Sequence, residues 1–269
     1  TLSFDDYLEC RKMNLIINIF YNDSVFEEIM GLLRKLDVSI WDWLNKIYVN
    51  STLKKFEKFN NLLTDFLNDS ENELWEDFDE LRKFTNKKEN IQKFINGNLG
   101  SNLIFKYKSR SLTKDLENIG AIAETSTIEI IKEKKIDIPG IEELTKELIS
   151  FKKCQVEDIF SLKEVKTDLF NYDIPNFLNN IKSKEEDLDL NHYKLSYSRK
   201  FEFKLNNDQF NQIKSYNSLF GTKIDGISRT LSRVYIKKLF RKYEKDKIEE
   251  IAEFSENNSR RWGGGLESI

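Results

Sequence analysis

Apolar side chains recur at three- and four-residue spacing through the first 155 residues, which is the period of amphipathic helices. Ser3-Phe4-Asp5-Asp6 resembles a capping box, in which a serine and a later acidic side chain satisfy the first N–H groups of a helix. Four more helices follow polar residues that favour the N-cap position. We expect these caps at Asp23 or Ser24, Ser39, Ser51 and Ser70. Short polar joints between such helices are typical of a helical bundle.

The helical period continues in the middle of the chain and returns towards its end. We expect a sixth helix that stops at Asn96-Gly97 and a seventh that starts at Gly100-Ser101-Asn102, because glycine and asparagine favour helix ends. Further helices are predicted over residues 111–134, 140–153, 206–219 and 224–243. Only 2 Pro and 10 Gly interrupt the 269 residues, which favours long helices.

Two segments instead alternate apolar and polar residues, which is the two-residue period of strands. They cover residues 163–172 and 192–205, and a short helix is predicted after Pro175 between them. Because an isolated ribbon is marginally stable, we expect an antiparallel ribbon that packs on the helices. The predicted fold class is therefore mainly α, a helical bundle-like domain with a small antiparallel β-ribbon.

The change of period near residue 156 divides the chain. We expect a helical bundle region over residues 1–155, a smaller α+β region packed on it over residues 156–258, and a flexible tail over residues 259–269. The charged run at residues 182–187 is interpreted as a solvated linker. The chain starts at Thr1, inside the first capping motif, so we expect it to be part of a longer protein.

Composition argues against several classes of protein. A chain of 269 residues can bury roughly three quarters of its unfolded surface, and 39% apolar with 33% charged residues is a globular balance. The net charge of −3, from 43 basic and 46 acidic side chains, argues against nucleic acid as a partner. No apolar run approaches the roughly 20 residues of a membrane span, so we expect no membrane association.

The cysteines and the histidine form no metal-binding pattern. Cys10 and Cys154 lie far apart and His192 is the single histidine, so these residues cannot assemble a zinc or iron–sulfur site. Low cysteine content is typical of proteins in a reducing compartment. We therefore expect a cytoplasmic protein without a cofactor in this chain.

A basic stripe is the sharpest local feature of the sequence. In the predicted helix 224–243, four cationic residues recur every four positions, Arg229, Arg233, Lys237 and Arg241. Positions four apart lie on one face of a helix, and arginine presents a planar fork of donors. The stripe is therefore a candidate contact surface for an anionic substrate or an acidic partner. The alternative is a solvated face that pairs with neighbouring acids.

Three more residues are candidate contacts. Asn102 follows two glycines at a predicted helix N-terminus, where free N–H groups can bind an anion, although an ordinary joint between helices is the alternative. Tyr172 and Asp173 end the first predicted strand. Asp173 is either a positioned carboxylate or a turn and cap residue. Separately, Trp41-Asp42-Trp43 puts two indoles on different sides of one helix, so we expect one of them to be buried.

Four stretches, taken in order, resemble segments of one enzyme family. They are residues 3–11 with 18–22 (SFDDYLECR and NIFYN), 95–105 (INGNLGSNLIF), 170–174 (FNYDI) and 216–221 (YNSLFG). The first is similar to the segment that follows the catalytic barrel in radical S-adenosylmethionine enzymes with an N-terminal cobalamin-binding domain. The other three resemble parts of the C-terminal extension of those enzymes. Each motif is short, and their order carries the resemblance.

The resemblance implies an accessory C-terminal helical domain that covers or shapes the substrate opening of such an enzyme. The chain lacks the CxxxCxxC motif that binds the family's iron–sulfur cluster, so no catalytic or cofactor-binding residue carries over to it. The cluster, S-adenosylmethionine and cobalamin would belong to upstream catalytic domains of the same polypeptide. Those domains are then the expected partners.

Two hypotheses of other classes remain open. One is a freestanding helical interaction module that binds an acidic partner through the basic stripe. The other is an enzyme with a carboxylate-built site, for which Asp173 is a candidate.

Overall fold

A computed structural model describes residues 3–95, 100, 102–181 and 188–243 of the chain, and the backbone of residues 249–250. Within these ranges the fold is mainly α with a small antiparallel sheet, as the pattern predicts. The helices are α1 Phe4–Phe20, α2 Glu27–Lys35, α3 Ile40–Asn50, α4 Glu57–Asn72, α5 Phe78–Thr85, α6 Lys88–Ile95, α7 Leu103–Thr113, α8 Leu116–Glu133, α9 Ile141–Val156, α10 Ile174–Asn180, α11 Asn207–Phe220 and α12 Ile224–Leu231. The strands are β1 Val165–Tyr172, β2 Lys194–Lys204, β3 Lys242–Tyr243 and β4 Glu249–Glu250.

Three predicted N-caps are confirmed by their hydrogen bonds. The Asp6 N–H group donates to Ser3 Oγ at 3.1 Å, and the Asp6 carboxylate accepts from the Ser3 N–H group, which completes the capping box of α1. Ser39 accepts from the Asp42 N–H group as the cap of α3, and Asn102 accepts from the Ile104 and Phe105 N–H groups as the cap of α7. At these positions a short polar side chain and an apolar periodic segment predict the same helix start.

The prediction that Asp23 or Ser24 caps α2 is wrong. Both residues lie in a tight turn between α1 and α2, with φ values of 63° and 58°. The Asp23 carboxylate instead accepts a hydrogen bond from the ammonium group of Lys108 on α7, whose side chain is buried. The buried cation binds the carboxylate that a local cap would have used, so the turn is fixed by a contact with a distant helix.

The predicted caps at Ser51 and Ser70 are also wrong. Ser51 ends α3, and its hydroxyl donates to the Tyr48 carbonyl oxygen at 2.7 Å. Ser70 lies inside α4, and its hydroxyl donates to the Phe66 carbonyl oxygen at 2.8 Å. A serine hydroxyl can donate to the carbonyl oxygen of the preceding helical turn as readily as it can accept from an N–H group of the following turn. The presence of a serine therefore does not show whether the residue starts a helix or lies inside one. Helix α5 starts later, behind the cap Asp77.

Two predicted long helices are shorter in the structure. The helix predicted over residues 111–134 is broken at Lys114 and Asp115, between α7 and α8. The helix predicted over residues 224–243 ends at Leu231, and the chain continues through a 3₁₀ turn at Ile236–Leu239 into β3. In this second segment the apolar side chains are buried by residues that form a turn, and the end of the segment pairs with β2. These tertiary contacts outweigh the preference for a helix that the spacing of the apolar residues indicates.

The predicted ribbon is confirmed. β1 pairs antiparallel with β2, from Val165 opposite Lys204 to Phe170 opposite Arg199, and a bulge follows Phe170. The short strands β3 and β4 pair with the other edge of β2. At the bulge the Glu147 carboxylate of α9 accepts from the N–H groups of Asn171 and Tyr172, at 2.8 and 3.0 Å. The sheet is therefore tied to α9 at its edge.

One apolar core joins the helices and the sheet. Trp43 is fully buried and packs edge-to-face on Phe20, while Trp41 is 53% exposed, as expected for one buried indole. On the other side of the core, Phe151 of α9 packs on Phe170 and Phe203 of the sheet. The division into residues 1–155 and 156–258 stays a prediction, and α9 ends at that boundary while it contacts both α8 and β1.

Three sequence predictions lie outside the described residues. They concern the helix stop at Asn96-Gly97, the charged run at residues 182–187 and the tail at residues 259–269. Among the helices that the structure does describe, none is both long and apolar enough to cross a lipid bilayer.

A buried ion pair links α2 to α9. The Lys152 ammonium lies 2.9 Å from Oε1 of Glu28, and both side chains are about 95% or more buried. The Lys152 ammonium also lies 3.8 Å from Glu27 and 4.8 Å from the centre of the Phe240 ring. Oε2 of Glu28 has no hydrogen-bond partner among the described residues. Burial raises the pKa of Glu28, because desolvation outweighs the attraction of Lys152.

We expect Lys152→Met to lower the free energy of unfolding by about 3–5 kcal/mol at neutral pH, because it leaves the Glu28 carboxylate buried without a counterion. Since the folded state binds the Glu28 proton more tightly than the unfolded state, the loss should shrink as pH falls towards 4.5, the ordinary pKa of a glutamate. Urea unfolding followed by circular dichroism measures both effects.

The double variant Glu28→Gln with Lys152→Met should recover most of the stability. The matched control is Lys153→Met on the same helix, whose partner Glu117 is 70% exposed, so we expect a loss below about 1 kcal/mol. Equal losses for the two lysine variants would show that the buried pair is not specific.

Candidate functional site

A cleft of about 410 Å³ lies between the end of α7, the turn from α9 to β1, and helices α11 and α12. Its floor is apolar and consists of Leu112, Val156, Ile159, Phe160, Leu162 and Ile227. Thr113, Ser161 and Thr222 are exposed lining residues with hydroxyl groups, of which those of Thr113 and Ser161 donate to the carbonyl oxygens of Ser109 and Asp158. An apolar floor with a few polar groups, in this range of volume, is typical of a small-molecule site.

The turn that forms one wall of the cleft has an unusual backbone. Asp158 and Leu162 adopt φ values of 56° and 59°, on either side of a 3₁₀ turn at Ile159–Ser161. Left-handed backbone costs a residue with a Cβ about 1 kcal/mol, and for leucine it is rare. Such conformations persist where surrounding contacts enforce them, and they cluster at functional sites.

Arg241 enforces the geometry of this turn. Its side chain is fully buried, and its guanidinium donates to the carbonyl oxygens of Glu157 at 2.6 Å, Cys154 at 3.2 Å and Lys163 at 2.9 Å. Glu157 follows the end of α9 and Lys163 precedes β1, so one side chain holds both ends of the turn. Burial lowers the pKa of the guanidinium, although arginine keeps its proton in proteins.

Asn217 of α11 holds the middle of the turn. Its side-chain amide donates to the Phe160 carbonyl oxygen at 2.8 Å, and Asn217 also lines the cleft. Oδ1 of Asn217 is buried and has no hydrogen-bond partner in the described part of the chain. The side-chain amide of Asn217 therefore connects the turn that forms the cleft wall to α11. Its buried oxygen stays without a donor, which is energetically unfavourable.

The charge of the cleft selects among ligands. Asp158 is the one ionisable residue among the described residues that line the cleft, and its carboxylate lies 3.4 Å from the Lys166 ammonium. Within the described ranges, no lysine or arginine lines the cleft. Without a cation in its wall, the cleft favours a neutral or cationic group over phosphate or carboxylate.

Cys154 lies beside the cleft wall but is not a reactive group. Its carbonyl oxygen accepts from Arg241, and burial raises the pKa of its thiol to about 12. A thiol with so high a pKa stays protonated at neutral pH, and the thiolate is the nucleophilic form. Its contribution is therefore structural.

The predicted basic stripe does not exist as one surface, because the helix that would carry it ends at Leu231. Arg241 is buried, and Lys237 forms an ion pair with Glu27 of α2. Arg233 donates to the Arg229 carbonyl oxygen at 2.8 Å, and its guanidinium lies 4.7 Å from the centre of the Phe220 ring. Arg241 and Lys237 are thus engaged elsewhere, and only Arg229 and Arg233 stay exposed side by side.

The other predicted contact residues have structural roles, and none of them lines the cleft. Oδ1 of Asn102 accepts from the Ile104 N–H group at 3.0 Å as the cap of α7. Oδ1 of Asp173 accepts from the Asn176 N–H group at 3.2 Å as the cap of α10. Tyr172 is buried, and its hydroxyl donates to the Gly140 carbonyl oxygen at 3.3 Å. Burial and the nearby Glu143 carboxylate raise the pKa of Tyr172.

Sequence reasoning missed the residues that build the cleft. Asn217 lies in a stretch that the family resemblance quotes, so its motif was an available signal. Asp158 belongs to a residue type that tolerates left-handed backbone. For Leu162 the sequence offers no such signal, because leucine does not favour positive φ.

We expect Arg241→Lys to lower the free energy of unfolding by about 2–4 kcal/mol, because one ammonium cannot reach carbonyl oxygens at both ends of the turn and leaves buried acceptors unsatisfied. Urea unfolding measures the loss. The matched control is Arg229→Lys, an exposed arginine, for which we expect a change within about 0.5 kcal/mol. The role assigned to Arg241 would be wrong if the two variants were equally stable.

Known proteins add no further evidence on the cleft. No protein-family model, no curated protein and no solved structure matches the chain. The family resemblance is therefore carried by the four motifs and their order.

Proposed function

We propose that this chain is an accessory helical domain of a larger cytoplasmic enzyme that resembles the radical S-adenosylmethionine enzymes with a cobalamin-binding domain. Its role is to form one wall of the substrate opening, without bond chemistry of its own. The observation that carries the proposal is the cleft, because the family-like motif at residues 216–221 supplies Asn217 to its wall.

The packing of the motifs supports the proposal. Helix α1 carries the first motif and packs on α7, whose cap Asn102 belongs to the second motif. Helix α7 packs on α12, and α12 packs on α11, which carries most of the fourth motif. Three of the four motifs thus lie on helices that contact one another in series. Among the described residues that line the cleft, Asn217 of the fourth motif is the one that a motif supplies.

The chemistry of the cleft defines what the domain contributes. Its apolar floor excludes water from a bound group, and its hydroxyl rim and the Asp158 carboxylate orient that group. Holding a substrate in one geometry lowers the entropic part of a reaction barrier. The domain would therefore act on a neutral or cationic part of the substrate, by position and by exclusion of water.

The iron–sulfur cluster of that enzyme class is bound by a CxxxCxxC motif, which the sequence of this chain lacks. Cys10 is exposed and Cys154 is buried, and within the described ranges no three His, Cys, Asp or Glu side chains form a group that could hold a metal ion. The proposal therefore assigns the iron–sulfur cluster, S-adenosylmethionine and cobalamin to other domains of the same polypeptide. Those domains are the proposed partners.

The complete protein that contains this chain provides the direct test. We expect its coding sequence to include a CxxxCxxC motif upstream of Thr1, and the purified, anaerobically reconstituted protein to bind iron and sulfide outside residues 1–269. The isolated chain should bind no iron and consume no S-adenosylmethionine. Iron binding or S-adenosylmethionine consumption by the isolated chain would contradict the proposal, and so would a coding sequence without the motif.

We expect Thr222→Trp in the complete enzyme to lower product formation by about tenfold or more, because the indole fills the cleft from its exposed rim. Consumption of S-adenosylmethionine without product should persist, since the change lies outside the cofactor-binding domains. The matched control is Thr52→Trp, an exposed threonine at the end of α3, away from the cleft. If both variants formed product at the wild-type rate, the cleft would have no role in substrate positioning.

A further inference from the structure

The segment of residues 226–243 concentrates positive charge. It contains six basic residues and no acidic one, namely Arg229, Arg233, Lys237, Lys238, Arg241 and Lys242. Since the whole chain carries a net charge of −3 and this segment carries +6, the rest of the chain carries −9. Clustered charges of one sign create a local potential at the surface. A negatively charged group is therefore attracted to this segment, while the rest of the chain repels it.

The segment lies along α11, so its exposed cations follow one line. At the start of α11, the Gln209 side-chain amide donates to the carbonyl oxygens of Lys238 and Phe240, at 2.9 and 2.6 Å. At the end of α11, the Arg233 guanidinium lies 4.7 Å from the centre of the Phe220 ring. These two contacts are separated by most of the helix, roughly 16 Å at 1.5 Å per residue. The cations therefore extend along α11 from its end to its start.

Four of these cations have no acidic partner. Arg229, Arg233, Lys238 and Lys242, which we name the basic ridge, are exposed, and none of them forms an ion pair with another residue that the structure describes. Lys237 differs, because it pairs with Glu27. Elsewhere the domain pairs surface lysines between helices, as in the pair of Lys132 with Glu142. The basic ridge is thus left without counterions from the fold that the structure describes.

One cation of the ridge lies directly opposite another lysine. Lys242 on β3 is in register with Lys204 on β2, so the two side chains share one face of the sheet. Like charges at such a position are destabilising. No ion pair in the described part of the chain includes Lys204. An anionic group that binds here would relieve the repulsion between the two ammonium groups.

We propose that the basic ridge is a docking surface for a separate protein that presents a short acidic segment. Complementary charges steer such partners together and fix their register. The surface is charged rather than apolar, which is typical of a reversible contact, since permanent interfaces are more apolar. The ridge also differs from the predicted stripe, because it excludes the buried Arg241 and includes a residue of β3.

The surroundings of the ridge favour an acidic protein over a nucleic acid. A nucleic acid is an extended polyanion, and beyond the ridge it would meet the net charge of −9 that the rest of the chain carries. Aromatic rings that stack on bases need a free face. Phe220 instead stacks on Tyr216, at an interplanar angle of 14°, and Arg233 lies over its ring. A partner whose carboxylates end where the ridge ends avoids this repulsion.

An acidic peptide tests the site on the isolated chain. Fluorescence anisotropy should detect binding of residues 1–269 to a labelled, alanine-based helical peptide with a glutamate at every fourth position. The binding should weaken as salt rises, and a peptide with glutamine at the same positions should not bind. Arg229→Glu with Arg233→Glu should raise the dissociation constant about tenfold. The matched control is Arg82→Glu with Lys83→Glu, an exposed pair on α5 with the same change in net charge, which should leave the dissociation constant within about twofold of wild type.

Lys242→Glu separates binding from folding. The new carboxylate would face Lys204 as an opposite charge, so we expect unfolding to require more urea than in wild type. The same variant should bind the acidic peptide about threefold more weakly, because the ridge loses one cation and gains an anion. A gain in stability without a loss of binding would show that Lys242 has no part in docking.

Carbodiimide crosslinking, which joins a peptide carboxylate to a lysine amine, should attach the acidic peptide mainly at Lys238 and Lys242. Four results would overturn the proposal: no binding by the wild-type chain, equal binding by the Arg229→Glu with Arg233→Glu variant, crosslinks spread over the other lysines, or tighter binding of an oligouridylate than of the peptide. The last result would indicate a nucleic acid. The outcome does not depend on the proposed enzymatic role, since it is measured without substrate or cofactor.

Discussion

One buried cation holds the segment that joins the helices to the sheet. The Arg241 guanidinium donates to carbonyl oxygens at the end of α9 and at the entry to β1. These carbonyls belong to the segment that joins the helices to the sheet, so their hydrogen bonds set the position of one relative to the other. A guanidinium suits this place because its planar fork serves several acceptors at once.

The cleft is a consequence of that contact. Left-handed backbone at Asp158 and Leu162 opens the turn outward, and it persists because Arg241 holds the two ends while Asn217 holds Phe160 in the middle. A wall fixed at three points keeps its shape when a ligand binds, so little ordering is needed on binding. That property is what a positioning domain requires, and it connects the geometry of the turn to the proposed function.

The protein buries several charged side chains and exposes several large apolar ones. Both features are the reverse of the usual distribution, in which charged side chains face water and apolar side chains form the core. Inside, Lys152 on α9 pairs with Glu28 on α2, and Lys108 on α7 pairs with Asp23 in the turn between α1 and α2, so each pair joins segments that are distant in sequence. Buried charges of this kind fix a single arrangement of helices more than they add stability. Outside, helices α5 and α6 leave large apolar side chains in solvent. The exposed apolar side chains of α5 and α6 thus lie outside the core that the other helices share with the sheet.

The sequence alone determined the features that depend on neighbouring residues. The helical period, the two alternating strands and the caps at Ser3, Ser39 and Asn102 arise from local geometry, and these predictions are confirmed. The helix predicted over residues 224–243 failed because a helix and a turn followed by a strand can bury the same apolar side chains. The spacing of apolar residues along the sequence therefore does not distinguish a helix from a turn followed by a strand.

Only the tertiary structure decided what Arg241 does. In sequence Arg241 is the fourth member of a basic stripe, and in the structure it is a buried donor to Cys154, Glu157 and Lys163. Its acceptors lie about 80 residues earlier in the chain. The physical reason is that a carbonyl oxygen is present at every residue, so no side-chain pattern indicates which carbonyls a distant cation will reach. The cleft depends on that choice and was therefore invisible in the sequence.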